Sequence, residues 1–548
     1  MIDFDSSHYP YVSRRTATFA KNGMVASSQP LAAEVGLSML KAGGNAVDAA
    51  VATAAALTVV EPTGCGIGGD AFALVWMKDE LHGLNASSFA PAGLTPDVMS
   101  AHGYGVGHSN TQMPVHGWLP VTVPGIPAAW ASLHKRWGKL PFSDVLAPAI
   151  RLAREGFPVS PTISHLWARE ARLMDKVLAD EVLKKSWFDT FARDGRTPKP
   201  GELFTSAAHA DSLQSIADTY SESFYRGELA EKIDAFARQS GGLIRKEDLA
   251  RYQPEWVDPI KVNYRGYDIW QIPPNGQGLV VLMALNILKG YEFGKDGDQR
   301  DSVETIHKQI EAMKLAYTDG QAFITQSDHM PFSVDDLLAE EYAQSRRDQM
   351  GDQAVMPSVG TPQKGGTVYL STADSEGNMV SYIQSNFHGF GSGVVVPGTG
   401  IGLQNRGADF SLEPQHPNYL QAGKKTFHTI IPGFITKGKQ AVGAFGVMGA
   451  YMQPQGQLQV VSNMIDYGMN PQAALDAPRW QWFGEKTVGL EPELDASIVK
   501  GLQDKGHDAE VATDPTIYGR GQIIIRDPET GVLCGGTEKR IDGTIAAY

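Results

Sequence analysis

The segment QKGGTVYLSTADSEGNMVSYIQSNFHGFGSG, residues 363–393, decides the fold. Two runs rich in β-branched and aromatic residues, Thr367 to Thr372 and Met379 to Ser385, flank the polar stretch Asp374 to Asn378. This pattern predicts a β-hairpin with a three-residue loop, in which Gly377 takes the left-handed conformation.

The predicted hairpin brings two hydroxyl groups together. If the loop is Ser375 to Gly377, Thr367 lies directly opposite Ser385. Directly opposed side chains share one face of the sheet, with Cβ atoms about 5 Å apart. On the residues alone, an ordinary cross-strand Thr–Ser pair explains this juxtaposition better than a catalytic pair does.

The chain changes character just before this hairpin. Upstream, Pro30 begins a predicted helix over residues 31–40, and Asn45 caps an alanine-rich helix that extends to about Val60. A further helix is predicted over residues 302–323. After Met356 comes SVGTPQKGG, a stretch of small residues predicted to be flexible, followed by short strands. A mainly helical first half followed by a strand-rich second half favours a layered α+β fold over alternating βαβ units.

Composition excludes several functional classes. The formal net charge of −14 has no basic block, which argues against nucleic acid or an anionic membrane as partner. The 14 histidines contain no metal-binding spacing, so we expect neither a metal nor another cofactor. The cysteines, Cys65 and Cys534, are expected to be free thiols. The N-terminal residues lack the features of a signal peptide, and the most apolar stretch, Ala46 to Val60, is too short to span a membrane, so a cytoplasmic protein is expected.

Two glycine-rich segments do not fit the motifs they suggest. The loop Gly64 to Gly69 follows a helix and precedes a strand, the reverse of the order that nucleotide-binding loops require. In Gly389 to Gly393 the serine is flanked directly by glycines, so the spacing of a serine-hydrolase elbow fails. The first loop is therefore interpreted as a tight structural turn near a ligand.

Four long segments resemble the gamma-glutamyltransferase (gamma-glutamyltranspeptidase) family. They are NGMVASSQPLAAEVGLSMLKAGGNAVDAAVATAAALTVVEPTGCGIGGD, GGTVYLSTADSEGNMVSY, GFGSGVVVPGTGIGLQN and MQPQGQLQVVSNMIDYGMNPQAALDAPRW. The resemblance covers nearly the whole chain from about Lys21, in the order of the family. It implies a four-layer αββα sandwich of the N-terminal-nucleophile hydrolase type, which is made as an inactive precursor and cuts itself before a threonine.

The spacing of the family motif places that threonine at Thr367 and the cleavage junction between Gly366 and Thr367. The implied products are a large, mainly helical part, residues 1–366, and a small, strand-rich part, residues 367–548, which stay associated in one intertwined domain. In the precursor the Thr367 hydroxyl attacks the Gly366 carbonyl. Cleavage then frees an α-amino group, whose reference pKa is about 7.7–8.0, and this amine serves as the base for its own hydroxyl.

Other roles carry over from the family by position. Ser385 stands where the family has a hydroxyl residue that contacts the nucleophile, as the hairpin register also predicts. Gly449 and Ala450 align with the pair whose backbone N–H groups form the oxyanion hole; alanine keeps the N–H, provided that its backbone angles do not require glycine. Asp409 matches the acidic residue that binds the α-amino group of a glutamyl substrate.

The sequence departs from the family where the substrate carboxylate is bound. Ser87 stands in place of the arginine that pairs with the α-carboxylate, which should weaken recognition of a glutamyl end. His428 and Thr429 replace a Ser-Ser pair, and Arg406 and Phe387 replace polar residues, so Arg406 or His428 is a candidate for a substitute cation.

The segment Ser411 to Lys425 is short for the family and leaves little or no lid. Similar departures occur in branches described as cephalosporin or glutaryl acylases and as acting on oxamate. The leading interpretation is a self-processing amidohydrolase or acyltransferase that cleaves γ-glutamyl or similar carboxyacyl amides.

Two alternatives stay open: an acylase for a non-glutamyl acid, and an unprocessed, non-catalytic member that binds a small acid. The expected partners are a small-molecule amide and water or an amino-acid acceptor, with neither nucleic acid nor membrane. The sequence is compatible with a homo-oligomer.

Overall fold

The computed structural model describes residues 15–294, 299–357 and 366–548. The small-residue stretch predicted to be flexible, residues 358–366, lies outside this part of the chain except for Gly366. The strands are β1 (Thr18–Ala20), β2 (Gly23–Ser27), β3 (Asp70–Met77), β4 (Glu80–Ala86), β5 (Phe157–Pro158), β6 (Leu203–Phe204), β7 (Glu255–Val257), β8 (Ile260–Tyr264), β9 (Tyr267–Gln271), β10 (Gly366–Asp374), β11 (Met379–Phe387), β12 (Val395–Val396), β13 (Ile401–Gly402), β14 (Gly433–Lys437), β15 (Gln440–Met448), β16 (Trp480–Gly484), β17 (Thr487–Leu490), β18 (Asp508–Val511), β19 (Arg520–Arg526), β20 (Leu533–Thr537) and β21 (Thr544–Ala547).

The helices that accompany these strands are α1 (Pro30–Lys41), α2 (Ala46–Val60), α3 (Pro96–Ala101), α4 (Ile126–Trp137), α5 (Phe142–Glu155), α6 (Pro161–Val177), α7 (Glu181–Phe191), α8 (Ala207–Thr219), α9 (Glu222–Arg226), α10 (Glu228–Ser240), α11 (Lys246–Ala250), α12 (Gly278–Leu288), α13 (Val303–Phe323), α14 (Val334–Leu338), α15 (Glu340–Arg347), α16 (Met452–Ile465), α17 (Pro471–Asp476) and α18 (Ala496–Asp504). Among the described residues, no helix combines the length and the apolar character that crossing a membrane requires.

Two seven-stranded antiparallel sheets form the centre of the molecule. One has the order β21-β2-β10-β11-β3-β4-β7 and the other the order β1-β20-β19-β15-β14-β9-β8. The sheets pack face to face through β10 and β11 on one side and β15 and β19 on the other. Both sheets contain strands from before and after the Gly366–Thr367 bond, so neither side of this junction holds a complete sheet.

Helices cover the outer face of each sheet. Helices α1 and α2 lie over the first sheet, with α5 packed on α2, and α12 and α16 lie over the second, with α13 packed on α12. All residues of α2 are buried, as its lack of a polar face predicts. The four layers are therefore helix, sheet, sheet and helix, which confirms the predicted αββα sandwich.

The predicted helix boundaries are confirmed at three places. Pro30 is the first residue of α1, and the side chain of Asn45 caps α2 by accepting hydrogen bonds from the backbone N–H groups of Val47 and Asp48. Ser302 caps α13 by accepting from the Thr305 amide. Both cysteines are free thiols, as expected.

The predicted hairpin is strands β10 and β11. Val368 pairs with Gln384 and Ala373 with Met379, which is the predicted register, and Gly377 has a φ of +85°. At the first residues of β10 the register shifts, because Gly366 pairs with Phe387. This bulge, which the sequence analysis did not foresee, lies at the proposed cleavage junction; bulges of this kind redirect side chains beside active sites.

Candidate active site

The side chain of Thr367 lies in the interior at the start of β10. It is 1% exposed, and its Oγ1 atom is 3.2 Å from Ser385 Oγ. Gln453 Nε2 donates a hydrogen bond to the same Thr367 oxygen at 3.4 Å. Ser385 Oγ also accepts a hydrogen bond from the Phe387 amide at 2.8 Å. The hydroxyl of Thr367 is therefore held by two polar side chains.

The glycine loop between α2 and β3 packs directly against this pair. A Cβ atom at Gly64 would lie 3.2 Å from the Thr367 carbonyl oxygen, and one at Gly69 would lie 2.4 Å from the Ser385 carbonyl oxygen. Any side chain at Gly69 would thus overlap the β11 backbone. The loop is the tight turn that the sequence predicts, and its glycines allow the close approach.

Gly449 and Ala450 form the turn between β15 and α16. Their φ values are +135° and +49°, so Ala450 occupies the left-handed region that favours glycine. Within the described ranges, neither backbone N–H group donates a hydrogen bond to a protein acceptor. Two adjacent N–H groups without acceptors are what an oxyanion hole requires.

An open cleft of about 420 Å³ gives access to Thr367 and Gly449. Its walls come from the loop after α2, from α6, from His388 and Gly389, and from residues 514–520. Leu166, Leu173 and Ile517 supply apolar surface, and Glu61, Glu170 and Arg520 are its buried charged residues. The nucleophile candidate and an oxyanion-hole candidate thus share one solvent-accessible space.

Asp409 lies in a compact buried network. Its Oδ2 atom accepts a hydrogen bond from Arg406 Nη1 at 3.1 Å, and its Oδ1 atom accepts one from Tyr451 Oη at 2.7 Å. Burial raises the pKa of Asp409 to about 6, although Arg406 and Tyr451 act in the opposite direction. Arg406 Nη1 also donates to Thr429 Oγ1 at 2.7 Å. Asp409, Arg406 and Thr429 are therefore brought together, as the family alignment implies.

Arg406 keeps hydrogen-bonding capacity in spite of these contacts. It is completely buried, and its Nε and Nη2 atoms have no hydrogen-bond partner. The Phe387 ring lies against the guanidinium at 4.1 Å from the ring centroid. Because the Phe387 amide bonds to Ser385 Oγ, this residue connects the guanidinium with the Thr367–Ser385 pair.

His428 does not supply a second cation. Its Nε2 atom is 2.7 Å from Asp70 Oδ2, and burial together with the nearby Arg406 lowers its pKa to about 4. A neutral imidazole therefore donates to Asp70. Burial opposes ionisation of Asp70, but His428, Arg406 and Ser88 outweigh it and lower the pKa of this carboxyl group. His428 is therefore excluded as the substitute cation, which leaves Arg406 as the remaining candidate.

Ser87, which stands where the family has its arginine, is buried and turned into the protein. Its Oγ atom donates to Asn85 Oδ1 at 2.6 Å and lies 3.3 Å from Asn275 Oδ1. The neighbouring Ser88 donates to Asp70 Oδ2 at 2.8 Å. The clamp position for an α-carboxylate is thus filled by neutral groups that bond to one another.

A second cavity, of about 360 Å³, lies on the other side of Phe387. Asp409, Tyr451, Phe427 and Met113 line it, together with the short segment that begins at Ser411. The residues that line this second cavity do not include Arg406, His428 or Thr429. Phe387 lines this cavity whereas His388 lines the cleft of Thr367, so these two consecutive residues stand between the two spaces.

One group of described residues has the composition of a metal site, namely His307, Glu311 and His507. His307 Nδ1 and His507 Nε2 are already hydrogen-bonded at 2.8 Å. Lys314 Nζ lies 2.6 Å from Glu311 Oε1 and neutralises the carboxylate. The group shares no residue with the two cavities.

Sequence reasoning missed four residues of the site: Asp70, Gln453, Tyr451 and Arg520. Two had a positional signal, because Tyr451 directly follows the predicted oxyanion pair and Gln453 lies two residues further on. Asp70 directly follows the last glycine of the loop and begins an apolar strand. A carboxylate at the start of a buried strand is a signal for a polar site. Arg520 stands between two glycines in a β-rich run, and nothing in the pattern distinguishes it from a surface residue.

Comparison with known proteins places this geometry in context. The family model described as gamma-glutamyltranspeptidase matches residues 32–548. The chain is 37% identical to a glutathione hydrolase-like YwrD proenzyme of Bacillus subtilis over 532 residues, covering 95% of this chain and 97% of the relative. It is 32% identical to an oxamate amidohydrolase proenzyme of Klebsiella pneumoniae, covering 97% of this chain and 100% of the relative.

Among solved structures, a cephalosporin acylase from Bacillus halodurans superposes with a TM-score of 0.95 at 58% identity, covering 100% of this chain and 99% of the other. The match extends over both sheets and both helical layers. The chain therefore belongs to the gamma-glutamyltranspeptidase family and is an amidohydrolase of that family.

Proposed function

We propose that the protein cuts its own Gly366–Thr367 bond and then hydrolyses amides of short acyl groups that end in a carboxylate, through an acyl-enzyme on Thr367. The observation that carries the proposal is the buried Thr367 hydroxyl, 3.2 Å from Ser385 Oγ and in one cleft with the Gly449 turn. The proenzyme names of the two relatives support self-processing.

Self-cleavage exchanges an amide for an ester and then for an acid. Thr367 Oγ1 forms a bond to the Gly366 carbonyl carbon, the C–N bond between the two residues breaks, and the hydroxyl proton passes to the nitrogen, which becomes a free amine. Water then hydrolyses the ester, which leaves a carboxylate on Gly366 and restores the hydroxyl. The resulting α-amine has a reference pKa of about 7.7–8.0 and is therefore a competent base near neutral pH.

Turnover repeats this chemistry on an external amide. The α-amine takes the proton of the Thr367 hydroxyl as its oxygen attacks the substrate carbonyl. The N–H groups of Gly449 and Ala450 receive the developing oxyanion. The amine half then leaves with a proton, and water hydrolyses the acyl-enzyme. Ser385 and Gln453 hold the hydroxyl in place throughout.

The proposal favours an acyl group without an α-amino-acid end. Ser87 donates a hydrogen bond to Asn85, and Asp409 is paired with Arg406 and accepts a hydrogen bond from Tyr451. Arg406 still has N–H groups on Nε and Nη2 without a hydrogen-bond acceptor, and these could donate to a terminal carboxylate although the guanidinium also lies near Asp409 and Asp70. We infer that the acyl half extends past Phe387, whose ring turns aside to let the carboxylate reach Arg406.

A second candidate is a γ-glutamyl hydrolase. Asp409 lines the second cavity and keeps the carboxylate that would bind an α-ammonium group. This candidate requires the ammonium to lie beside the Arg406 guanidinium, which is electrostatically unfavourable.

Para-nitroanilides of four acyl groups separate the candidates: glutaryl, γ-glutamyl, oxamyl and butyryl. We expect the glutaryl anilide to have a higher kcat/KM than the γ-glutamyl and butyryl anilides. In the Arg406→Gln variant the preference for glutaryl over butyryl should disappear. Arg196→Gln, at an exposed arginine paired with Glu202, is the matched control. Faster cleavage of the γ-glutamyl anilide would favour the second candidate, and equal rates for glutaryl and butyryl would exclude carboxylate recognition.

A further inference from the structure

The guanidinium of Arg520 lies in the wall of the Thr367 cleft. Arg520 is the first residue of β19 and pairs with Met448, the residue directly before Gly449. Its side chain is 7% exposed and lines the cleft together with Thr367 and Gly449. A buried positive charge is therefore anchored next to the oxyanion-hole candidate.

This guanidinium has no partner in the described part of the chain. Its Nε atom lacks a hydrogen-bond acceptor, and no ion pair or side-chain hydrogen bond involves any of its nitrogens. By contrast, Arg479 and Arg540, which are equally buried, each pair with Glu538. Burial of an unpaired charge costs several kcal/mol, on the order of the cost of breaking a buried ion pair. Such a group is a candidate for binding an anion that enters from solvent.

The acidic groups around Arg520 do not satisfy it. Glu61 lines the same cleft, but its Oε2 atom accepts from Ser28 Oγ at 2.5 Å, and burial raises its pKa to about 7. Glu538 is occupied by Arg479 and Arg540. At the rim of the cleft, Arg169 is already paired with Glu170 at 3.0 Å. Arg520 is thus a buried cation of the cleft that forms no direct ion pair within the described residues, although Glu61, Glu538 and Asp514 attract it at longer range.

We propose that Arg520 binds a carboxylate on the amine half of the substrate, the half that leaves when Thr367 is acylated. This inference rests on the proposed function, in which the acyl half occupies the space beyond Phe387. An amide extends in two directions from its carbonyl carbon, so the amine half falls into the cleft that holds Arg520.

The cleft suits an amine with an apolar body and one carboxylate. Leu166, Leu173 and Ile517 provide the apolar wall, and the guanidinium offers a planar fork that matches a carboxylate. The substrate class is therefore an N-acyl derivative of an amino acid or of a larger carboxylate-bearing amine. With Arg406 on the acyl side, the site recognises amides that carry a carboxylate at each end.

A matched pair of substrates tests the inference. The glutaryl anilides of para-aminobenzoate and para-aminobenzamide have the same acyl group and nearly the same shape, and differ in the charge of the amine half. We expect kcat/KM to favour the benzoate by about tenfold or more in the unaltered enzyme, with the ratio falling to near one in Arg520→Gln. Arg520→Lys should retain part of the ratio. Comparing variants cancels the difference in intrinsic reactivity between the two anilides, and Arg196→Gln serves as control.

A ratio that is the same in Arg520→Gln as in the unaltered enzyme would overturn the inference. It would also be overturned if the variant instead lost its preference for glutaryl over butyryl, because Arg520 would then bind the acyl carboxylate. If Arg520→Gln is inactive or does not fold, inhibition of the unaltered enzyme decides: free para-aminobenzoate should inhibit more strongly than para-aminobenzamide, and equal inhibition contradicts the assignment. If the processed protein hydrolyses neither anilide, the proposed function fails, and calorimetric binding of the same two amines still decides the role of Arg520.

Discussion

The hydroxyl oxygens of Thr367 and Ser385 lie 3.2 Å apart at the open end of the β10–β11 hairpin. Ser385 Oγ also accepts a hydrogen bond from the Phe387 amide at 2.8 Å. This arrangement connects the nucleophile candidate to the residue that covers Arg406. Ser385 therefore positions both the Thr367 hydroxyl and the backbone that separates the two cavities.

Removing the Ser385 hydroxyl should slow the chemistry without abolishing it. In Ser385→Ala we expect self-cleavage and turnover to fall by about 10- to 100-fold, because one buried hydrogen-bonding partner is lost. Ser385→Thr keeps the hydroxyl and should recover most of the rate. The measurement is the rate of fragment appearance on a denaturing gel, followed by kcat on the glutaryl anilide. An unchanged rate in Ser385→Ala would mean that the contact has no role.

Ala450 carries backbone strain. Its φ of +49° is unfavourable for a residue with a Cβ atom. Ala450→Gly should raise the free energy of unfolding by about 0.5–1 kcal/mol, and Ala450→Val should lower it by more than that amount. Chemical denaturation of an uncleavable Thr367→Ala background gives both values. If Ala450→Gly destabilised the protein, the left-handed conformation assigned to this turn would be wrong.

Glu61 should make stability fall as pH rises. Burial holds the pKa of Glu61 at about 7 in the folded protein, whereas the pKa of this group is about 4.5 in the unfolded chain. The unfolded state therefore loses its proton first, and stability is lost between these two pH values. Relative to the unaltered protein, Glu61→Gln should gain about 3 kcal/mol of unfolding free energy between about pH 4 and about pH 8.

Denaturant titrations at the two pH values measure this difference. Glu202→Gln is the control, because Arg196 lowers the pKa of this exposed carboxyl group and the folded protein holds it ionised at both pH values, so no comparable fall in stability is expected. A pH-independent difference for Glu61→Gln would show that this carboxyl group titrates normally.

Asp409 should control the acceptance of γ-glutamyl substrates through its ionisation. Burial raises its pKa to about 6, so the carboxylate that would bind an α-ammonium group is lost as pH falls through that value. We expect the ratio of kcat/KM for γ-glutamyl over glutaryl anilide to decrease below about pH 6. The N-terminal amine of Thr367 affects both substrates equally and cancels. A constant ratio would indicate that Asp409 does not contact the α-amino group.

Local pattern was sufficient to predict much of the fold. Asn45, Ser302 and Gly377 act through bonds to their own neighbours, so their roles as caps and turn residue are readable from sequence. The register of β10 and β11 follows from the length of one loop, and this register places Thr367 close to Ser385. The bulge at Gly366 was not predictable, because it depends on how the ends of β10 and β11 meet the rest of the sheet.

The binding residues were harder to predict because their properties arise from distant contacts. His428 was a candidate cation, but its neutral state depends on burial beside Asp70, which lies 358 positions away in the sequence. Asp409 accepts a hydrogen bond from Tyr451, which lies 42 positions away in the sequence. Arg520 has no direct ion pair with Glu61, whose carboxyl group accepts a hydrogen bond from Ser28 instead. Each of these properties depends on which charged groups lie close together in the folded protein, and the pattern of a single sequence does not show those contacts.

The most direct test of the central claim is the mass of the purified protein under denaturing conditions. We expect two fragments, residues 1–366 and 367–548, with threonine as the new N-terminal residue of the second. Thr367→Ala should remain one uncut chain without activity on the glutaryl anilide, whereas Thr367→Ser should still cut, more slowly. A single uncut band of the unaltered protein after days of incubation, or cleavage and turnover that persist in Thr367→Ala, would contradict the claim that Thr367 is the nucleophile.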